Sequence, residues 1–340
     1  MMVMCNHWLF RIPNLKASCA ALGSMGVNIF FVLSGFLISL ILMNEKEKNP
    51  KINNLLRQFY IRRFLRIFPL YYLVILIAII FGSPDVYNNL LALLFYLVNW
   101  KAGLKGAQLG VFSHFWSLSV EEQFYLFFPP LLVFINKKNF KLLSAIFIGG
   151  AILFRVIPFF LPKLYQAVGW VDSWTTFSCL DAFGMGFLLA ILKIENPELL
   201  KRNIGKYLWL CILLGFVSFI LYINAGDFLL INSLFFRTLS CVLALGLIGN
   251  AIFDKLPSII FNNKIIIYLG RISYGLYVYH FFMINLFSVT LNKFINTNSV
   301  KGVLLSFVIY FALTVIVSSI SYFLYESPLN KLKRYFKYNG

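Results

Sequence analysis

The sequence predicts an all-α protein: a polytopic membrane bundle of about ten transmembrane helices, the first one incomplete. Three observations carry that expectation. Of the 340 residues, 60% are hydrophobic and only 12% are charged, whereas a soluble domain carries about 25% charged residues. The mean hydropathy is +0.82, too high for a surface solvated by water. The apolar residues also run continuously, as in "YYLVILIAIIF" and "LLSAIFIGGAILF". A helix needs about 20 such residues to cross roughly 30 Å of hydrocarbon, whereas barrel strands would alternate.

Taken in order, the expected spans are 1–10, 26–43, 67–82, 118–135, 140–157, 172–192, 205–222, 229–251, 264–290 and 302–325. The first is cut short by the polar "RIPNLKAS". It has no charged leading region and no small-residue cleavage site, so it does not read as a signal peptide. The stretch "NNLLALLFYLVNW" at 88–100 is too short to span. It reads as a re-entrant or interfacial helix, which requires that protein cover its ends. With the C-terminal tail placed in the cytoplasm, the inside loops 44–66, 136–141, 193–206, 252–264 and 327–340 hold 20 Lys and Arg. The outside segments 11–25, 83–117, 157–171, 223–228 and 291–301 hold 7. That asymmetry follows the positive-inside rule. It accounts for the net charge of +18 without nucleic acid. Residues 1–340 read as one integral-membrane domain with no soluble domain and no transporter-like repeat. The five cysteines are scattered, without metal spacing or a disulfide framework.

Ionisable groups inside a bilayer cost at least about 2.5–3.5 kcal/mol at a helix centre, so each is a functional candidate. Here they are His7, Glu121, Glu122, Arg155, Asp181, Arg237, Arg271, His280 and Glu326. Arg155, Arg237 and Arg271 favour a structural or interfacial role, because arginine snorkels. In "HFWSLSVEEQFY", Ser119 and Glu122 have the spacing of a capping box, and Trp116 suits an interface anchor. Glu121 lacks that explanation and shares its face with Tyr125, which makes it the better candidate for chemistry. Ser34-Gly35 in "VLSGF" reads either as close helix packing or as a narrow wall along which a substrate arm slides. Arg62, Arg63 and Arg66 are either positive-inside anchors or a phosphate clamp. His7 beside a carboxylate such as Glu121 would supply a base with an orienting partner.

Together, "GVNIFFVLSGFLIS", "YIRRFLRIFPLYY", "HFWSLSVEEQFYLFFP", "RISYGLYVYHF" and "YESP" resemble the membrane acyltransferase 3 family, in the family's order and over nearly the whole chain. The resemblance implies an enzyme of about ten helices in a bacterial inner (plasma) membrane. It would move an acyl group, often acetyl, from cytoplasmic acyl-CoA to a hydroxyl of an extracytoplasmic carbohydrate, such as lipopolysaccharide O-antigen or exopolysaccharide. The family's first-helix histidine falls on His7, its WSLxxE glutamate on Glu121, and its arginine motif on Arg63 and Arg66. Arg62 and Ser34-Gly35 join the expected donor site. Trp116, Glu122, Tyr125, Asp181 and His280 are candidates for acceptor contacts. The implied partners are acyl-CoA, the carbohydrate and membrane lipid. No permanently bound cofactor and no metal are expected. Some members carry an additional soluble esterase-like domain, which this sequence does not show. The family also has an arginine eleven residues before the histidine, a position that here precedes Met1. The rival readings are a transporter or glycolipid translocase, and a truncated, inactive paralogue.

Overall fold

The computed structural model describes residues 1–48, 51–104, 109–161, 174–224, 231–257, 259, 262–297 and 299–338. Among them every regular element is helical. Seven helices are long and apolar enough to cross a membrane, and one bent pair raises the number to eight. The other two expected spans are α1 (Met2–Leu9) and α6 (Phe115–Phe134). At 1.5 Å per residue, the 8 residues of α1 reach only about 12 Å. Residues 105–108 and 162–173, which include Lys105 and Lys163, and residues 225–230 lie outside the described residues.

The long α2 (Lys16–Lys48) begins well before the expected span at 26. Small residues explain the extension. A Cβ on Gly23 would come within 2.7 Å of the Asn6 side chain, and one on Gly26 within 3.0 Å of Met2, so α1 lies against this stretch. Much of the expected 11–25 loop is therefore helix.

The long α3 (Ile52–Ile80) precedes α4 (Pro84–Leu94) and α5 (Val98–Gly103). These two short helices form the expected non-spanning segment. The carbonyls that a helix end leaves unpaired must find donors in an apolar setting. Here Tyr71 and Tyr72 donate to Leu93 O and Leu94 O, both at 2.8 Å. Gln123 Nε2 donates to Tyr96 O at 2.7 Å. Tyr96, at φ 53°, turns the chain between the two helices.

Beyond α6 come α7 (Phe140–Phe160), α8 (Leu180–Glu195) and the bent pair α9 (Pro197–Ile204) and α10 (Leu208–Asn224). A single π turn, Ile231–Phe236, leads into α11 (Arg237–Ala251). Helices α2 and α8 cross with their main chains in contact. A Cβ on Gly35 would strike Phe183 O, and one on Gly186 would strike Val32 O. Gly35 is thus filled by a neighbouring backbone and presents no open wall to a sliding arm. Around the crossing, Phe183 stacks on Phe124 (4.0 Å) and on Phe31 (5.0 Å).

The expected single span 264–290 is two helices, α12 (Lys264–Arg271) and α13 (Ser273–Phe294), parted at Ile272. Asn263 caps α12 by accepting from Ile265 N at 2.9 Å and Ile266 N at 3.4 Å, an N-cap placement favoured for asparagine. The chain returns through α14 (Val300–Ser321), a π turn at Tyr322–Glu326, α15 (Ser327–Lys331) and a 3-10 turn at Leu332–Tyr335. All five cysteines are free.

Candidate active site

The site is organised along one face of α6. His114, Ser117, Glu121 and Tyr125 follow at steps of three and four, which places them in a row. From His114 to Tyr125 the row is about 16 Å long, half the thickness of the hydrocarbon. Helix α6 runs antiparallel to α3, since Tyr60 donates to Leu126 O at 2.8 Å while Tyr71, further along α3, packs on Phe115 at 5.0 Å. Lys46, near the end of α2, donates to Ile135 O at 2.9 Å. Tyr125 therefore lies toward the arginine end of the bundle, and His114 at the opposite end.

The helix starts at Phe115, with His114 as its cap. The expected capping box does not form. Ser119 is already inside the helix and bonds back to Phe115 O at 3.2 Å. Glu122 Oε1 is buried without a hydrogen-bond partner among the described residues.

Glu121 is 4% exposed. It accepts from Ser34 Oγ at 2.5 Å and from the Tyr125 hydroxyl. The Arg63 guanidinium lies over the Tyr125 ring, 4.4 Å from its centroid, within electrostatic reach of Glu121 and Glu122. Arg66 interacts in the same way with Glu121 and Glu326. Glu326 in turn accepts from Ser321 Oγ at 3.1 Å. Arg62, expected beside them, is turned to the C-terminal tail. It donates to Lys333 O and Phe336 O, both at 3.2 Å, and covers the Tyr338 ring.

At the other end of the row, the three histidines of the chain come together. His280 Nδ1 lies 2.6 Å from Tyr277 O. A carbonyl has no hydrogen to give, so this nitrogen carries the proton, and in a neutral ring Nε2 is left as an acceptor. His7 Nδ1 lies 2.8 Å from that Nε2, and the two rings are parallel within 4°. Between two neutral rings, His7 Nδ1 must donate. The lone pair of His7 is then on Nε2, which faces away from the pair. His114 donates from Nε2 to Val278 O at 3.1 Å and sets its ring edgewise on His280 at 4.8 Å. Tyr277 donates to His114 O at 2.7 Å and touches Ser117 Oγ. His7 is thus oriented by His280, while Glu121 bonds to Ser34 and Tyr125. The direct pairing of His7 with Glu121 does not occur among the described hydrogen bonds. His114 and Tyr277 were not singled out from sequence; their spacing to Glu121 and His280 was the available signal.

Two other expected contacts go elsewhere. Asp181 is fully buried in an ion pair with Arg155 Nη2 at 2.8 Å, and Arg155 Nη1 donates to Ser178 O at 2.6 Å. Arg237 joins the same cluster through Ser178 O at 3.1 Å and Cys179 Sγ at 2.8 Å. This neutralises Asp181 inside the bundle, in keeping with the structural reading of both arginines. Trp116 packs edgewise on Trp174 at 4.7 Å and on Phe31 at 6.1 Å, within the protein. Among the described residues no group of His, Cys, Asp and Glu is arranged to hold a metal ion.

A family model described as an acyltransferase domain matches residues 1–323. The chain belongs to this acyltransferase family. It is 31% identical over 350 residues to the peptidoglycan O-acetyltransferase OatA of Listeria monocytogenes, covering 94% of this chain and 53% of that protein. It is 27% identical over 354 residues to the O-acetyltransferase OatA of Staphylococcus aureus (strain NCTC 8325 / PS 47), covering 94% of this chain and 55% of that one. The chain spans about half the length of the curated relatives it matches. No solved structure matches the chain. Family membership agrees with the multi-pass architecture, whose long apolar helices suit a membrane.

Proposed function

We propose that the chain transfers an acetyl group from acetyl-CoA to a hydroxyl of a cell-envelope glycan outside the plasma membrane. The observation that carries this reading is His7 Nε2, which has no hydrogen-bond partner among the described residues and is set by the Tyr277 O–His280–His7 chain of hydrogen bonds. In the proposed step, His7 Nε2 takes the proton of the acceptor hydroxyl as the oxygen attacks the thioester carbon. The carbon–sulfur bond breaks, and the leaving thiolate takes up the proton that His7 then gives back. Removing a reacting proton in this way contributes about 10²–10⁴-fold.

With the C-terminal tail in the cytoplasm, Arg63 and Arg66 face the side where acyl-CoA is found. Guanidinium forks suit its phosphates, whereas Arg62 serves mainly to hold the tail. The acyl arm would follow the polar row of α6 toward the histidines, past Ser34 and Glu121. Glu121 keeps Arg63 and Tyr125 in register along that path. The name of the Listeria monocytogenes relative favours a peptidoglycan-type acceptor over lipopolysaccharide.

Mass spectrometry of envelope glycans tests the reading in cells with and without the gene. Acetyl esters should appear with the wild-type gene and vanish with His7→Ala at equal membrane abundance. Esters that persist in His7→Ala cells would overturn it.

A further inference from the structure

The C-terminal tail is tied to α3 beside the arginines. The Tyr325 hydroxyl donates to Pro69 O at 3.4 Å. Arg62 Nη1 donates to Lys333 O and Phe336 O, each at 3.2 Å. The Arg62 guanidinium also covers the Tyr338 ring, 5.1 Å from its centroid. Tyr338 in turn packs on the core cluster that includes Leu55 and Phe59 of α3. The 3-10 turn Leu332–Tyr335 sits between these ties. The main chain of Lys333 is therefore held against α3.

Charge alone would not place a lysine there. The charged groups that act on Lys333 are Arg66, Arg63 and Arg62, all cations. Arg62, Arg63 and Lys333 are half-buried, and Arg66 is exposed. Like charges repel, and a lysine on a flexible stem can turn to water. Lys333 instead stays in the cluster, and its ammonium donates to Asn330 Oδ1. An ammonium has three hydrogens to give, so two remain for another acceptor.

The ion pairs among the described residues are Lys48–Glu45, Lys137–Glu47, Lys141–Glu195 and Arg155–Asp181. None of them contains Arg62, Arg63, Arg66 or Lys333. Glu121 and Glu122 lie within electrostatic reach of Arg63, and Glu121 and Glu326 within reach of Arg66. No carboxylate acts on Lys333 among the described residues. The patch thus gathers cations from two distant parts of the chain and lacks a negative partner on its tail side. Its open side at Arg66 leaves room for one to enter. Guanidinium forks grip phosphate oxygens in pairs, and an ammonium adds a compact charge with rotatable donors.

We propose that Lys333 is a phosphate-binding residue of the donor site, with α3 forming one wall of that site and the C-terminal tail the other. The assignment deepens the reading given above and rests on it for the donor. Lys333 Nζ donates to an oxygen of a phosphate that Arg63 and Arg66 grip from the α3 side. Arg62 holds the tail, and the tail brings the lysine.

The test uses the full chain in nanodiscs of phosphatidylcholine, whose headgroup adds no net charge beside the patch. Calorimetry measures the binding of acetyl-CoA and of adenosine 3′,5′-bisphosphate, which carries phosphates without an acyl arm. Wild type, Lys333→Gln and Lys333→Arg are compared. Losing one charge-assisted contact at a half-buried site should weaken both ligands about 3–10-fold in Lys333→Gln, with the thermal midpoint unchanged. Lys333→Arg keeps the charge and should recover most of the binding. Bisphosphate binding that is equal in wild type and Lys333→Gln, or absent in wild type, would overturn the assignment. Lys333-dependent binding of the bisphosphate without any binding of acetyl-CoA would sink the donor reading and leave the phosphate site standing.

Discussion

Asp181 and Glu121 are both carboxylates buried in the same apolar bundle, 0% and 4% exposed, yet they are held differently. Asp181 is closed by a direct ion pair to Arg155, with Thr238 also within hydrogen-bonding distance. Glu121 is met by two hydroxyls, from Ser34 and Tyr125. Its nearby cation, Arg63, lies over the Tyr125 ring rather than in an ion pair among the described residues. A closed pair binds helices α7 and α8 together and has nothing left to offer a ligand. A carboxylate held by hydroxyls beside an unforked guanidinium keeps both groups available. Exposure alone would have ranked the two alike; their partners separate them.

The comparison breaks most visibly at Asp181. Removing one member of a buried pair strands the other and costs about 3–5 kcal/mol. Asp181→Ala should therefore lower the thermal midpoint and the membrane abundance sharply. Arg155→Met combined with Asp181→Leu should recover most of the loss. An Asp181→Ala protein as stable as wild type would show that the pair does not hold the helices.

At Glu121 the expected effect is on activity. Glu121→Gln keeps the shape and one acceptor oxygen, so abundance and melting should match wild type. Acetyl transfer should fall about 10–100-fold, the size of losing a hydrogen bond to a charged group of about 1.5–3 kcal/mol that holds Tyr125 and Arg63 in place. A stability loss like that of Asp181→Ala would erase the distinction between the two carboxylates.

His280 sharpens the contrast at the other end of the row. In His280→Phe, His7 Nδ1–H loses its buried acceptor, a loss of about 1–3 kcal/mol, or roughly 5–160-fold if it all falls on the rate. His280→Asn offers an oxygen and should recover part of the rate. Equal rates for the two variants would mean that His280 acts by packing alone. The smallest effect belongs to Arg62→Ala. Because Arg62 faces the tail carbonyls, acetyl-CoA binding should weaken by less than about 3-fold, against about 10-fold or more for Arg63→Ala, a charge-assisted contact. Calorimetry on the two variants decides it.

The helical bundle was legible because long apolar runs leave little choice in lipid. The non-spanning segment at 88–100 was legible from its length, but its tyrosine caps came from α3 and could not be read locally. Ser119 matched the capping pattern, yet the 3-10 turn at Gly110–Phe112 feeds the chain into the helix earlier, and the aromatic residues after His114 continue it. The ionisable residues of the candidate site stood out in the sequence by their cost in a membrane. Their partners were not, because a pairing depends on how helices rotate against one another. His7 had a carboxylate and a histidine to choose between, and packing delivered the histidine. The same limit hid Arg155 as the partner of Asp181.

The hydrogen bond between His7 and His280 joins residues 273 positions apart. A ribosome adding about 5–20 residues per second needs on the order of 15–55 s to cover that stretch. Throughout that interval α1 can already lie on α2 through Gly23 and Gly26, but its histidine has no ring to meet. His7 Nε2 acquires its orientation only when α13 enters the membrane. A nascent or stalled chain therefore carries Arg63 and Arg66 without an oriented His7, and on the proposed reading the reaction would be withheld until α13 is in place.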